Sequence, residues 1–345
     1  MGVDLGDLAV KKTITLDSLA GKIVAIDAYN MIYQFLASIR QEDGTPLMDY
    51  KGNITAHLSG LFYRTSRLLE NGIKPVYVFD GKPHDFKGRV QSERSEAKKA
   101  AQKKWEEALE KGKYEDAKKY AQATSRLTSE MVEESKLLLK AMGVPSVQAP
   151  ADGEAEASLM VQNGLAYATA SQDYDALLFG SSVLVRNLSI TGRRKVPRQD
   201  RYILVEPEEI DLKETLASLG LTREQLIIIG LLVGTDFNEG VKGVGPKTAL
   251  KIVKEQKTLD AVVDYVKGKY NYDFEVAPKD VVNIFLHPAY ISPPKLRWAE
   301  PDADSISKIL VEQHDFSQDR VEKTLTELIR ISKERGAQSK LENWF

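Results

Sequence analysis

Seven acids in this chain fall where a carboxylate can do more than meet water: Asp27, Asp80, Glu154, Glu156, Asp173, Asp175 and Asp236. Asp27 closes the β-branched run Ile23-Val-Ala-Ile26, and Asp80 closes Val76-Tyr-Val-Phe79. Asp173 comes two residues after the run Ala166-Tyr-Ala-Thr-Ala-Ser171, with Asp175 just beyond it. Glu154 and Glu156 sit in Ala151-Asp-Gly-Glu-Ala-Glu-Ala157, at the expected start of a helix, and Asp236 follows the apolar run Leu226–Val233. Taken one at a time, each reads as a helix cap or a solvated side chain, and Asp85 and Asp152 are read that way. Brought together, they repel one another unless cations stand between them. Two Mg²⁺ about 4 Å apart would neutralise such a set and clamp both oxygens of an in-line phosphoryl displacement. Residues two apart do not share a face within a helix. At a helix start, where the chain bends in, Glu154 and Glu156 are both expected to reach one pocket.

Composition narrows the metal. The chain has no cysteine, which removes disulfides, thiolate zinc sites and cysteine nucleophiles, and only four histidines. Oxygen ligands suit Mg²⁺, with Mn²⁺ able to substitute. A formal net charge of −2 hides strong segregation: residues 82–126 hold 13 Lys/Arg against 8 Asp/Glu, and residues 186–201 hold six against one. Such unevenness sets basic surface beside acidic surface, which does not exclude a nucleic-acid partner, while charge alone reads more simply as two solvated helical or loop faces. The longest apolar run, Leu226–Val233, spans eight residues, too few to cross a membrane, and the N-terminus has no signal-peptide pattern, so a cytoplasmic protein is expected.

The elements that must position these acids alternate. Strand-like runs separated by helical stretches over 28–39 and 54–70 imply an α/β protein with a mostly parallel sheet covered on both faces. In such sheets the site lies beyond the carboxyl ends of the strands, where these aspartates are. Residues 88–123 are rich in Lys, Glu and Ala and carry few large apolar side chains, so this segment is expected to project from the body. The spacing predicts further helices over 125–142, capped near Ser125 or Thr128, then over 222–233, 246–255, 304–311 and 318–335. Residues 268–303 read as irregular connections with short helices. From Gly336 a short polar tail is expected.

Met1-Gly-Val, Asp27-Ala-Tyr-Asn30, Val78-Phe-Asp-Gly-Lys-Pro83, Gly153-Glu-Ala-Glu-Ala157, Ser171-Gln-Asp-Tyr-Asp-Ala-Leu-Leu178 and Gly243-Val-Gly-Pro-Lys247 resemble, in order and over essentially the whole chain, the flap endonucleases of the structure-specific 5′-nuclease superfamily. The absence of Cys and of a basic tail resembles the archaeal members. The resemblance implies a PIN-like α/β fold with a helical arch at about 83–125 and a helix-two-turn-helix at about 222–255. It implies one nuclease domain over 1–335, with an N-terminal region to about 125, an internal region over about 126–260 and a C-terminal helical region over 261–335. It also implies Mg²⁺-dependent hydrolysis near the junction of a 5′ single-stranded flap with duplex DNA, with 5′–3′ exonuclease activity, in replication and repair. All seven acids above match the family's metal-binding set.

Lys87 and Arg94 are seven apart, hence on one helix face, and follow Asp80 closely. A cation there can hold a scissile phosphate and offset transition-state charge, the role of the matching family residues. By resemblance Tyr33 stacks on a base near the cut, and Gly2 and Arg64 contact DNA; Arg67 reads as a plain surface residue. Gly243, Gly245 and Lys247 lie in a glycine-rich turn whose free N–H groups, ahead of Pro246 at a helix start, can bind a duplex backbone without reading sequence. The family often holds K⁺ in this turn.

The C-terminus, Gln338-Ser-Lys-Leu341-Glu-Asn-Trp344-Phe345, matches the sliding-clamp pattern of Gln, an aliphatic residue three on and aromatics at six and seven on. Residues 336–345 are therefore read as a clamp-binding tail, on a chain that is monomeric when free. Three rivals stand beside this reading: a 5′-exonuclease or repair nuclease of the same superfamily, a silent clamp-bound DNA-junction protein, and a Mg²⁺ phosphatase. Seven uncompensated acids would only weaken DNA binding in the second, and a phosphatase has no use for an arch or a clamp tail.

Overall fold

The computed structural model describes residues 2–41, 43–82, 100, 103–105, 107, 124–189, 192–195, 202–292 and 295–342. Strands β1 (Lys11–Thr13), β2 (Ile23–Asp27), β3 (Lys74–Phe79), β4 (Ser146–Gln148), β5 (Ala168–Ala170), β6 (Val183–Arg186) and β9 (Glu208–Asp211) form one sheet in the order β1-β9-β6-β5-β2-β3-β4. The pairs β2/β3, β2/β5, β3/β4 and β5/β6 are parallel, while β9 runs antiparallel to both β6 and β1. The chain thus builds outward from β2 through β3 to β4, then returns to the other side of β2 for β5 and β6. The crevice at the carboxyl ends of β2 and β5 is the topological switch point at which α/β sheets bind ligands.

The helices are α1 (Ala28–Ser38), α2 (Ala56–Glu70), α3 (Ser129–Ala141), α4 (Gly153–Gln162), α5 (Asp175–Phe179), α6 (Leu212–Leu219), α7 (Arg223–Val233), α8 (Pro246–Gln256), α9 (Leu259–Tyr270), α10 (Pro278–Leu286), α11 (Ala303–Ser307) and α12 (Gln318–Glu342). Side chains alternate across β2, as the period of two demands. Val24 and Ile26 join the core under α1, α2 and α3, whereas Ala25 joins Val76, Val78, Ala157 and Met160 under α4. Buried on both faces, β2 cannot shift register without moving Asp27 from its place at the rim. Around the apolar α7 a second core gathers residues of α5, α8, α9 and α10, and Val3, Leu5 and Leu8 of the N-terminus. A helix apolar on all sides must be enclosed in this way.

The expected elements appear with adjusted ends. Thr128, not Ser125, caps α3, its side chain accepting from the N–H of Met131. Helix α12 does not stop at residue 335 but continues through Gly336 to Glu342, so the expected free tail begins inside a helix. One glycine costs a helix about 1 kcal/mol, which the good helix formers around it outweigh. In and beyond the basic stretch after Arg186, β7 (Gly192–Lys195) and β8 (Tyr202–Val205) pair antiparallel as a separate two-stranded sheet. Of the expected arch, residues 100, 103–105 and 107 are helical. Lys87 and Arg94, and likewise Trp344 and Phe345, lie outside the described residues, and the side chains of Gln338 and Leu341 are not described either. Among the described residues no single helix is long and apolar enough to cross a membrane.

Candidate active site at the strand ends

The sheet delivers its acids to the switch point one strand at a time. Asp27 ends β2 and caps α1, its Oδ1 accepting from the Asn30 N–H at 3.0 Å. Asp80 follows β3 directly, and its Oδ1 accepts from the Gly153 N–H at 2.7 Å, which draws the start of α4 onto the end of β3. Asp173 follows β5; its Oδ2 accepts from Asn30 Nδ2 at 3.0 Å. Asp175 opens α5, and its Oδ1 accepts from the Val3 N–H at 2.9 Å. Glu154 reaches across from α4, its Oε1 accepting from the Ala176 N–H at 3.2 Å. The turn bearing Asp173 is braced from β6: Arg186 Nε donates to the Gln172 carbonyl at 3.0 Å, and its guanidinium lies 4.2 Å from the Tyr174 ring centre.

These groups feel one another. Burial pushes the Asp27 carboxyl well above the usual carboxylate range, and the charges of Asp80, Asp152 and Asp173 push it further. Burial does the same to Glu154, joined by Asp175, Asp27, Asp173 and Asp152. Asp175 is raised by burial and then by the charge of Asp236, three residues past α7. Gly2 lies against the same group: a Cβ on it would fall 2.9 Å from the Asp173 Cβ and inside the Asp175 carboxylate. No side chain larger than hydrogen fits there.

Glu156 does not join them, contrary to the sequence expectation. It is fully buried on another side of α4, its Oε2 accepting from the Ile291 N–H at 3.2 Å and its Oε1 without a partner among the described residues. Two residues along a helix turn the side chain by about 200°. Since α4 is already helical from Gly153, Glu154 and Glu156 diverge. The acid whose charge does reach the cluster is Asp152, which is also the cap that the sequence suggests. It caps α4 through the N–H groups of Glu154 at 2.9 Å and Ala155 at 3.2 Å, and its charge is felt at Asp27, Glu154 and Asp175. The signal available in sequence was the spacing itself, Asp152 and Glu154 at the cap and first turn.

Burial, opposed only by the Ile291 N–H, pushes Glu156 up to about 7. In the fold it keeps its proton to about pH 7, while in the unfolded chain it loses it near its ordinary 4.5. Stability therefore falls as pH rises through that interval and levels off above it. Glu156→Gln is expected to stabilise the protein at pH 8 by on the order of 1–3 kcal/mol, at 1.36 kcal/mol per unit, and to change little at pH 4. Thermal melts of the two proteins at both pH values check this; equal gains at both would contradict it.

The remaining expected residues lie around the cluster. Tyr33, on α1, is 36 % exposed, and Arg64, on α2, is half-buried beside Arg67. Gly243 has a left-handed backbone (φ 85°), Gly245 caps α8 with Pro246 in its first turn, and the exposed Lys247 pairs with Asp7 at 3.2 Å. Among the described residues no three acids are already grouped as ligands of one ion. The donor set itself fits a hard divalent cation: every donor is a carboxylate oxygen, and Asp27, Glu154 and Asp175 are buried beside other carboxylates.

The XPG N-terminal domain matches residues 5–101, and the XPG I-region matches residues 143–236. Flap endonuclease 1 of Staphylothermus marinus is 52% identical over 352 aligned positions, covering the whole of both chains. That of Pyrococcus furiosus is 51% identical, covering all of this chain and 99% of the relative. Among solved structures, flap endonuclease-1 from Methanococcus jannaschii superposes with a TM-score of 0.76 at 40% identity, covering 97% of this chain and all of the other. The catalytic core of Rad2 in complex with DNA substrate shares the fold, with a TM-score of 0.70 at 24% identity over 95% of this chain.

Proposed function

The chain belongs to the flap endonuclease family of metal-dependent nucleases, and from that premise we propose that it cuts DNA at the foot of a 5′ flap, holding two Mg²⁺ on Asp27, Asp80, Asp152, Glu154, Asp173, Asp175 and Asp236. The observation that carries this is the gathering of buried, mutually repelling carboxylates at the switch point. When bound, the ions supply a more acidic attacking water and charge neutralisation at the entering and leaving oxygens. Mn²⁺, with the same oxygen preference, is the expected substitute. Lys87 and Arg94 hold the scissile phosphate, Tyr33 stacks on a neighbouring base, and Gly2 and Arg64 line the approach. The Gly243–Lys247 turn grips duplex backbone with free N–H groups, with K⁺ as an added ligand of that turn, so the shape of the junction sets where the cut falls. The protein works in the cytoplasm as a monomer when free. A 5′-labelled flap duplex, incubated with and without Mg²⁺ beside single-stranded and nicked controls, tests this reading. Mg²⁺-dependent release of the flap, with slower cutting of both controls, is expected; equal cutting of all three would overturn it.

The last eight residues are assigned to a sliding clamp. Leu341, Trp344 and Phe345 form the apolar plug and Gln338 the polar contact, in the manner of a short motif filling a pocket. Each aromatic anchor is worth about 2 kcal/mol or more at such interfaces. Trp344→Ala/Phe345→Ala is expected to keep intrinsic flap cleavage and lose stimulation by the clamp. Calorimetric titration of the clamp measures it, and equal affinity for wild type and the double variant would contradict the assignment.

A further inference from the structure

Asn30 is a neutral side chain set between two of the acids. It lies in the first turn of α1, where asparagine is a poor helix former and gains nothing from the helix itself. Its backbone N–H donates to Asp27 Oδ1 at 3.0 Å. Its side-chain amide has one permitted orientation. The N–H of Gln172 can only donate, so Oδ1 faces it, at 3.1 Å. That turns Nδ2 onto Asp173 Oδ2, at 3.0 Å. A single residue thus touches the last residue of β2, the backbone after β5 and the carboxylate beyond β5, joining positions 143 residues apart across the switch point.

The chemistry of the alternatives shows what an amide does here. A carboxylate at this place would set a further negative charge within hydrogen-bond reach of Asp173. An ammonium or guanidinium would neutralise Asp173 and compete with a divalent ion for it. The amide donates one hydrogen bond, carries no charge, does not titrate, and leaves Asp173 Oδ1 outside the bond it makes. Groups that orient metal ligands in this way typically set metal affinity by roughly 10–100-fold.

We propose that Asn30 is a positioning residue of the metal centre: it fixes the Asp173 carboxylate and the Gln172 backbone relative to Asp27 without placing a charge between them. This rests on the metal reading above, and the test separates the two. Mn²⁺ binding to the DNA-free protein is measured by electron paramagnetic resonance for wild type, Asn30→Leu, which keeps the bulk, and Asn30→Ala, which favours the helix. Single-turnover flap cleavage is followed against Mg²⁺ concentration, and thermal melts are recorded in parallel. Both variants are expected to bind Mn²⁺ about 10–100-fold more weakly, to need correspondingly more Mg²⁺ for half-maximal rate, and to approach the wild-type rate at saturating Mg²⁺. Their melting temperatures and their affinity for flap DNA without divalent metal are expected to match wild type. Unchanged Mn²⁺ affinity in both variants would overturn the proposal, as would a loss of rate that Mg²⁺ does not restore. Failure of wild type itself to bind Mn²⁺ would overturn the metal reading instead.

Discussion

Asp173→Ala is expected to slow single-turnover flap cleavage by roughly 10³-fold or more, equivalent to about 4 kcal/mol of transition-state stabilisation. Asp173 stands at the centre of the cluster. Its charge bears on Asp27, Glu154 and Asp175, and its Oδ2 is held by Asn30. Removing it takes away a ligand and loosens the geometry of the others at once. The fold loses little, because the residue packs no core and one source of repulsion disappears. Flap affinity is expected to hold or rise slightly, since a negative charge near phosphate is gone. Rapid-quench kinetics beside fluorescence anisotropy separate the two effects. Near-normal turnover would remove Asp173 from the site.

The next largest effect is assigned to the arch. Lys87→Ala and Arg94→Ala are each expected to slow the chemical step by about 10²–10³-fold, the cost of losing one preorganised charge at a developing oxyanion, roughly 2.7–4 kcal/mol. Both residues follow Asp80 within 14 positions, and their spacing of seven is the one that would put them on the same face of a helix. Binding should fall less than rate, because each change removes only one of the 13 Lys/Arg over residues 82–126. Unchanged single-turnover rates with collapsed affinity would make these two residues part of the general electrostatic surface.

The rim of the sheet was legible because buried parallel strands are written as short β-branched runs, and each of β2, β3 and β5 leads into an aspartate within three residues. The sheet's margins were not. Strand β1, Lys11–Thr13, is exposed throughout and carries no apolar alternation, and the three-residue β4 buries only Val147. The error at Glu156 had a definite cause. Two acids at i and i+2 looked like a pair, but Asp152 takes the capping position, so the helix has already begun and the rotation per residue sends Glu156 to Ile291. The Asn30–Asp173 bond spans 143 residues and is a product of parallel pairing between β2 and β5, which no local pattern encodes. A polar tail is expected from Gly336, yet the backbone stays helical to Glu342, because polarity by itself does not end a helix.

Which carboxylates serve the metal is decided by single-turnover cleavage of a 5′-flap duplex by Asp152→Asn and by Glu156→Gln, each titrated with Mg²⁺. Asparagine is as good a helix cap as aspartate, so the first change removes charge and leaves α4 in place. Glutamine keeps the acceptor that meets the Ile291 N–H, so the second preserves the packing of α4. Asp152→Asn is expected to lose about 10²-fold or more at limiting Mg²⁺, in line with a lost ligand, and Glu156→Gln to stay within about threefold of wild type, less than 1 kcal/mol. The opposite order, with Glu156→Gln inactive and Asp152→Asn near wild type, would contradict the site described here.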